Sequence, residues 1–198
     1  FLKRRAGSLR TVLAKKNMKT LGLDIGSSSV KAAVLDTVTG ECVASFTSPG
    51  TELPIDAPRP GWAEQAPEMW WEHVSICMRE IFGSGNIPAG EIAAIGITYQ
   101  MHGLVALDAD GKPLRPSIIW CDSRAVETGE RALQGIGVEK CLRNLLNSPG
   151  NFTASKLAWV KENEPEVFAR VDKFMLPGDY ILYKLSGQKS TTESGLSE

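Results

Sequence analysis

The chain has 198 residues, 42% hydrophobic and 23% charged, with a formal net charge of −1, enough for one domain with a sizeable core or two small ones. No apolar run reaches the roughly 18–20 residues a membrane helix needs, so no membrane association is expected. Six basic and no acidic residues stand among the first 17, leaving a markedly acidic remainder, and nucleic acid, bound by Lys and Arg that neutralise phosphates, is excluded as a partner.

Residues 1–17 precede Met18 and the first predicted strand. Their basic, acid-free composition fits an organellar transit peptide, but they lack a clear amphipathic period. They are read as a disordered or non-native tail with Met18 as the natural start, and 18–198 as one domain.

Apolar residues alternate at Leu21, Leu23 and Ile25, and again at Val30, Ala32 and Val34, the period of two strands. Gly26, Ser27, Ser28 and Ser29 form the turn between them. A polar turn at Asp36–Glu41 leads to a third strand over Cys42–Phe46, which completes an antiparallel meander. Pro49, Pro54, Pro58 and Pro60 make residues 49–63 an extended connection. Pro67 and Glu68 then open a helix, since proline and acid are favoured in a first turn. Trp70, Val74, Cys77 and Ile81 follow at helical spacing and Gly83 stops it. That spacing assigns Trp70 to the core rather than to a sugar-stacking platform.

Ile92–Thr98 is apolar with almost no alternation, as in a strand covered on both faces. Leu104–Leu107, a turn at Asp108–Gly111 and Pro116–Trp120 read as a hairpin. Helices are expected from Asp122 or Ser123 to Gly135, around Leu157 and Val160, from Pro165 to about Val171, and from Tyr180 to Leu185 with Asp179 as its cap. The loop Asn147–Phe152 and a brief apolar segment at Lys173–Pro177 lie between them. The order predicts a mixed sheet with helices on its faces. A strand follows the glycine-bearing turn where a Rossmann or P-loop unit has a helix. The cysteines, Cys42, Cys77, Cys121 and Cys141, form no C-x-x-C pair, which makes a reducing, cytoplasmic setting the expectation.

Three clusters carry chemistry. At the first turn, Gly26 leaves room for a phosphate near the backbone, Ser27, Ser28 and Ser29 offer donors, and Lys31 adds positive charge. Asp24 repels phosphate unless Mg²⁺ lies between them. The alternative is a plain hairpin whose aspartate bonds its own turn. In the second, Gln100, Met101, His102 and Gly103 end a predicted buried strand, where open α/β sheets bind ligands. Gln100 and His102 suit sugar hydroxyls, and Gly103 a tight turn around a ligand; a structural histidine is the alternative. In the third, Trp120, Asp122 and Arg124 also follow a strand. Asp122 or Ser123 as a helix N-cap, Trp120 as core and Arg124 as a surface charge explain them equally well. Each cluster ends a strand, so one sheet is expected to bring them to one cleft.

The sequence resembles the FGGY family of carbohydrate kinases, and within it the bacterial xylulokinase branch, from about Met18 to its end. The resemblance is carried by Gly22–Lys31, Gly61–Gln65, Pro67–Trp71, Gln100–Gly103, Trp120–Arg124, Phe152–Leu157 and Leu176–Tyr180, in order. It implies a ribonuclease H-like α/β fold of the actin and hexokinase type, with ATP and sugar meeting in a cleft. It also implies ATP and Mg²⁺ as cofactors and a sugar as the small-molecule partner. Asp24 would hold Mg²⁺ through water, and Gly26, Ser27–Ser29 and Lys31 would face the ATP phosphates. Met101 and His102 would contact the ketose, with Gln100, Gly103, Trp120, Asp122 and Arg124 beside it. The implied acceptor is D-xylulose, with L-ribulose, gluconate, erythritol, glycerol or an inactive sugar-binding module as alternatives. The family's general base, an aspartate of a glycine-rich stretch, is expected beyond Glu198, in a C-terminal kinase domain absent here. The isolated piece is therefore expected to be inactive, and a homodimer is left open.

Overall fold

The computed structural model describes residues 18–193 and 195; the tail at 1–17 lies outside them. The chain forms two compact units, one comprising the N-terminal part up to Leu53 with Glu72–Thr98, the other Pro54–Trp71 with the chain from Tyr99 onward.

The first unit is built on a four-stranded sheet of order β3-β2-β1-β5, with β1 at Lys19–Ile25, β2 at Val30–Asp36, β3 at Cys42–Ser48 and β5 at Ile92–Tyr99. The first three form the expected antiparallel meander. Its register follows from the period-two pattern: Leu21 opposes Val34, Leu23 opposes Ala32 and Ile25 opposes Val30. All six are buried, and a one-residue slip would turn every one of them to solvent. Helix α1 (Pro67–Gly83) has the predicted bounds, and its Trp70, Val74, Cys77 and Ile81 are buried as the spacing required. The Cys77 thiol donates to the Val30 carbonyl at 3.6 Å, which places α1 against the sheet. His73 sits one turn earlier, 2.7 Å from the Ser48 hydroxyl.

β5 departs from expectation. None of its residues is buried, and Ile95 is 45% exposed. It is an end strand of the sheet, so its apolar run reflects a surface open among the described residues rather than two covering layers.

The second unit holds two small ladders. β4 (Glu64–Gln65) pairs with β7 (Ser117–Ile118), and β6 (Val105–Leu107) pairs with β8 (Lys173–Met175), both antiparallel. The expected hairpin between 104–107 and 116–120 is reduced to single bridges at Leu104–Ile118 and Leu107–Pro113. Pro113 and Pro116 lack the N–H groups such a ladder needs, and β8 takes the edge of β6. Among the described residues the unit adds the helices α2 (Val126–Ile136), α3 (Val138–Leu145), α4 (Thr153–Asn163), α5 (Pro165–Phe168) and α6 (Pro177–Ser186). Leu104, Ile118 and Val160 form its core with Leu157, Trp159, Val167 and Phe168 packed around them.

Two expected caps are displaced. α2 begins at Val126, after Ala125, so neither Asp122 nor Ser123 is its N-cap. α6 begins at Pro177 with Leu176 preceding it, and Asp179 is an acid in its first turn. No described helix is long and apolar enough to cross a membrane.

Candidate functional site

The phosphate-facing candidates lie in the first unit and the sugar-facing ones in the second. The single sheet expected to carry all three clusters is not formed, because Trp120–Arg124 follows β7, which pairs with β4 in a separate ladder.

At the β1–β2 turn, Asp24 and Lys31 are directly opposed, and the lysine Nζ lies 3.5 Å from Asp24 Oδ2. Both side chains are open to solvent, at 43% and 58% exposure, so the pair contributes at most about 0.2–1 kcal/mol and is readily exchanged for another partner. The turn closes on itself: the Gly26 N–H donates to the Ser29 carbonyl at 3.0 Å. A Cβ on Gly26 would stand 3.0 Å from that same oxygen. A side chain at Gly26 would thus crowd its own turn. Ser28 is exposed at the tip, and its carbonyl accepts from the Leu53 N–H at 2.7 Å. No described group of three or more His, Cys, Asp or Glu side chains is arranged to hold a metal ion. The lone Asp24 carboxylate therefore fits a cation that brings phosphate oxygens and water as its other ligands, the habit of Mg²⁺.

In the second unit, Gln100 is turned inward. Its Nε2 donates to Gln65 Oε1 at 3.3 Å, the same oxygen that accepts from Trp70 Nε1 at 3.1 Å. Met101 is 44% exposed. His102 carries the unusual backbone, with φ of 62°, and its ring stacks on Phe152 at 5.1 Å and 15°. Gly103 is a packing glycine: a Cβ there would meet Pro177 Cγ at 2.5 Å. That places the Gly103 backbone close against the start of α6.

Trp120 is 49% exposed, and its carbonyl accepts from Asn151 Nδ2. The neighbouring Cys121 thiol is pushed up in pKa by burial, with the Asp122 charge adding and Lys156 opposing. Asp122 and Arg124 differ sharply from Trp120, with side chains 0% and 1% exposed. Asp122 Oδ2 accepts the Ala63 N–H at 2.6 Å, and Oδ1 the Arg124 N–H at 2.8 Å. The guanidinium returns to the carboxylate through Nε at 3.0 Å and Nη2 at 2.7 Å. Its Nη1 stands 2.7 Å from Glu64 Oε1, and its Cζ 3.6 Å above the Trp62 ring. Glu64 is shared with Arg115, which also donates to Glu164 at 2.7 Å. Burial pulls the Arg115 guanidinium below its ordinary pKa, against the opposing effects of Glu164 and Glu64. The surface arginine of one sequence reading is thus the centre of a buried ion network.

The comparisons with known proteins follow this geometry. A model of the N-terminal domain of the FGGY family of carbohydrate kinases matches residues 19–198. The chain belongs to that family. Xylulose kinase of Escherichia coli K12 is 36% identical over 168 residues, which is 85% of this chain and 33% of the relative. The crystal structure of xylulose kinase from Rhodospirillum rubrum superposes with a TM-score of 0.81 at 26% identity, covering 91% of this chain and 36% of that one. Gluconate kinase from Lactobacillus acidophilus gives 0.77 at 27% identity, over 91% and 35%. This FGGY chain therefore spans about a third of the length of the relatives it matches. The expected actin- and hexokinase-type α/β fold is confirmed by these neighbours.

Several residues that shape the FGGY chain's second cluster escaped the sequence reading. Asn151, Phe152 and Lys156 contact the backbone or ring of Trp120 and His102. Glu64 and Trp62 surround Arg124. The signal for Trp62, Glu64, Phe152 and Lys156 was their place inside the matching blocks Gly61–Gln65 and Phe152–Leu157, and Asn151 stands just before the second.

Proposed function

We propose that this chain supplies the sugar- and phosphate-facing part of an ATP- and Mg²⁺-dependent kinase acting on a ketose, with D-xylulose as the acceptor. The reaction is in-line transfer of the γ-phosphoryl group to the sugar's terminal hydroxyl, where catalysis rests on positioning, charge neutralisation and a base that accepts the hydroxyl proton. The reading is carried by the family match together with the exposed Met101, the half-buried His102 in its left-handed turn, and the exposed Trp120. Met101, His102 and Trp120 take the sugar-facing role, an aromatic face and an imidazole being suited to a polyol. Gln100, Gly103, Asp122 and Arg124 hold that surface from beneath: the Gln100 Nε2 is engaged by Gln65, Gly103 packs on Pro177, and Asp122 and Arg124 are paired with each other. Asp24 holds Mg²⁺ through water, and Ser27, Ser28, Ser29 and Lys31 face the ATP phosphates, with Gly26 shaping their turn. The general base belongs to the part of the relatives' length that this chain does not span.

A panel of acceptors tests the substrate. With the full-length polypeptide in a coupled ADP-release assay, D-xylulose is expected to give the highest kcat/KM among D-xylulose, L-ribulose, D-gluconate, erythritol and glycerol. The likeness to a gluconate kinase makes D-gluconate the sharpest competitor. A tenfold preference for gluconate would overturn the ketose reading and leave the kinase reading standing.

A further inference from the structure

Lys156 is a charged residue with no role in the chemistry above, yet it is wholly buried on α4. Removing an ammonium from water costs several kcal/mol, and an apolar side chain of similar volume is often the more stable choice at such a place. The ammonium donates to the carbonyl of His102 and, at 2.8 Å, to the carbonyl of Asn151. Neither acceptor lies in a regular α-helix or strand. His102 has the left-handed φ of 62°, a conformation that costs a non-glycine residue about 1–2 kcal/mol and persists only when its surroundings enforce it. Asn151 ends a short 3-10 turn at Pro149–Asn151.

The same six-residue segment, Asn151–Lys156, makes further holds on this loop. Phe152 is buried and stacks under the His102 ring. Thr153 Oγ1 donates to the Gly103 carbonyl at 3.2 Å. Asn151 Nδ2 donates to the Trp120 carbonyl, so Lys156 reaches Trp120 through the residue it grips. We propose that Lys156 is a positioning residue for sugar recognition, which locks the left-handed His102 and, through Asn151, sets Trp120 beside it. The proposal rests on the reading of His102 and Trp120 as sugar-facing. It makes the buried ammonium a specificity element that never touches the sugar: it selects the one backbone arrangement in which both side chains are presented.

The test is kinetic, on the full-length polypeptide, with D-xylulose and ATP varied separately. Lys156→Met is expected to raise the KM for D-xylulose at least tenfold while the KM for ATP stays within twofold. In a His102→Gly background, where glycine takes a left-handed φ without strain, the same substitution should raise the KM by a smaller factor than in the wild type, the remainder being the hold on Trp120; an equal or larger factor would overturn the locking of His102. Phe152→Leu removes the ring beneath the imidazole without stranding a charge, and is expected to raise the sugar KM at least threefold. It also decides the matter if Lys156→Met fails to fold. His102→Ala separates the two readings. If it leaves the sugar KM unchanged, the sugar-facing assignment is wrong. If it raises that KM while Lys156→Met, or Phe152→Leu in its place, does not, the positioning role alone is lost. A parallel rise in both KM values would also overturn it, because general loosening of the fold does not distinguish sugar from nucleotide.

Discussion

Removing the Asp122 carboxylate separates a sugar-contacting residue from a structural one. Asp122→Ala deletes the acceptor for the Ala63 and Arg124 N–H groups and the bidentate partner of the Arg124 guanidinium. Stranding one partner of a buried pair costs about 3–5 kcal/mol, and a buried N–H without an acceptor about 1–3 kcal/mol. Arg124 keeps Glu64 and the Trp62 face, and the cluster of Asp122, Glu64 and Glu164 against Arg115 and Arg124 loses its excess negative charge. The loss should thus fall at the low end, about 3 kcal/mol. Arg124→Met should cost more, about 4–5 kcal/mol, because it leaves Asp122 and Glu64 together with Arg115 as their remaining cation. A chain of this size loses about 2–4 °C of Tm per kcal/mol, so thermal unfolding followed by tryptophan fluorescence resolves both. The double variant should fall short of the summed single losses by about 1–3 kcal/mol, the coupling expected of touching residues. An Asp122→Ala protein within 1 kcal/mol of wild type but with greatly weakened sugar affinity would refute the structural assignment and restore the ligand contact.

Three other outcomes are expected. Asp24→Asn in the full-length polypeptide should lower kcat at least a hundredfold while Tm moves by less than about 2 °C, because its partner Lys31 is solvent-exposed and the pair is worth under about 1 kcal/mol; near-normal turnover across a Mg²⁺ titration would remove the metal role. Burial, with Glu68 and Tyr183 adding, pushes the Tyr180 phenol up to about 12. Its folded pKa is raised above the unfolded value, so the stability it confers is complete below pH 10 and lost as pH rises towards 12. Urea unfolding should therefore weaken by on the order of 1.4 kcal/mol per pH unit across that window, and a slope unchanged in Tyr180→Phe would contradict the assignment. Finally, Cys121 is exposed as a residue, but partial desolvation of its thiol raises the pKa, so iodoacetamide should label it at pH 7.5 more slowly than a free-cysteine standard, and saturating D-xylulose should slow it further; labelling at the standard's rate would count against the raised pKa.

The meander and α1 were legible because local periodicity decided them. Leu21, Leu23 and Ile25 have no other way to share a face, and Trp70 through Ile81 need a helix to do so. β4 and β8 were not legible because strands of two and three residues are defined by partners roughly fifty to seventy positions away, at Ser117–Ile118 and Val105–Leu107. α3 carries Val138, Cys141, Leu142 and Leu145 at helical spacing, but it follows α2 after Gly137 alone, so the glycine signal for the end of one helix hid the next. The candidate site divides in the same way. Asp24, Gly26 and Lys31 were placed correctly on their hairpin because that hairpin is local. Lys156 was passed over because a lysine on a helix reads as a solvated face, and only tertiary packing puts it beneath His102.

A matching motif does not say which of its residues meets the ligand. Within Trp120–Arg124 the structure assigns opposite fates to neighbours: Trp120 is half open, while Asp122 and Arg124 are sealed against Glu64 and Trp62. The burial has a physical cause, since a guanidinium stacked on an indole and bidentate to a carboxylate is among the few ways to dry a charge without leaving it unsatisfied. Once dried, the pair cannot adapt to a different sugar, because any change there exposes a costly vacancy in the network. Met101, His102 and Trp120 carry no such penalty. Changes of acceptor within this fold should therefore arise at those three positions and at the Asn151–Lys156 segment that orients two of them, with the aspartate and arginine kept whatever the sugar.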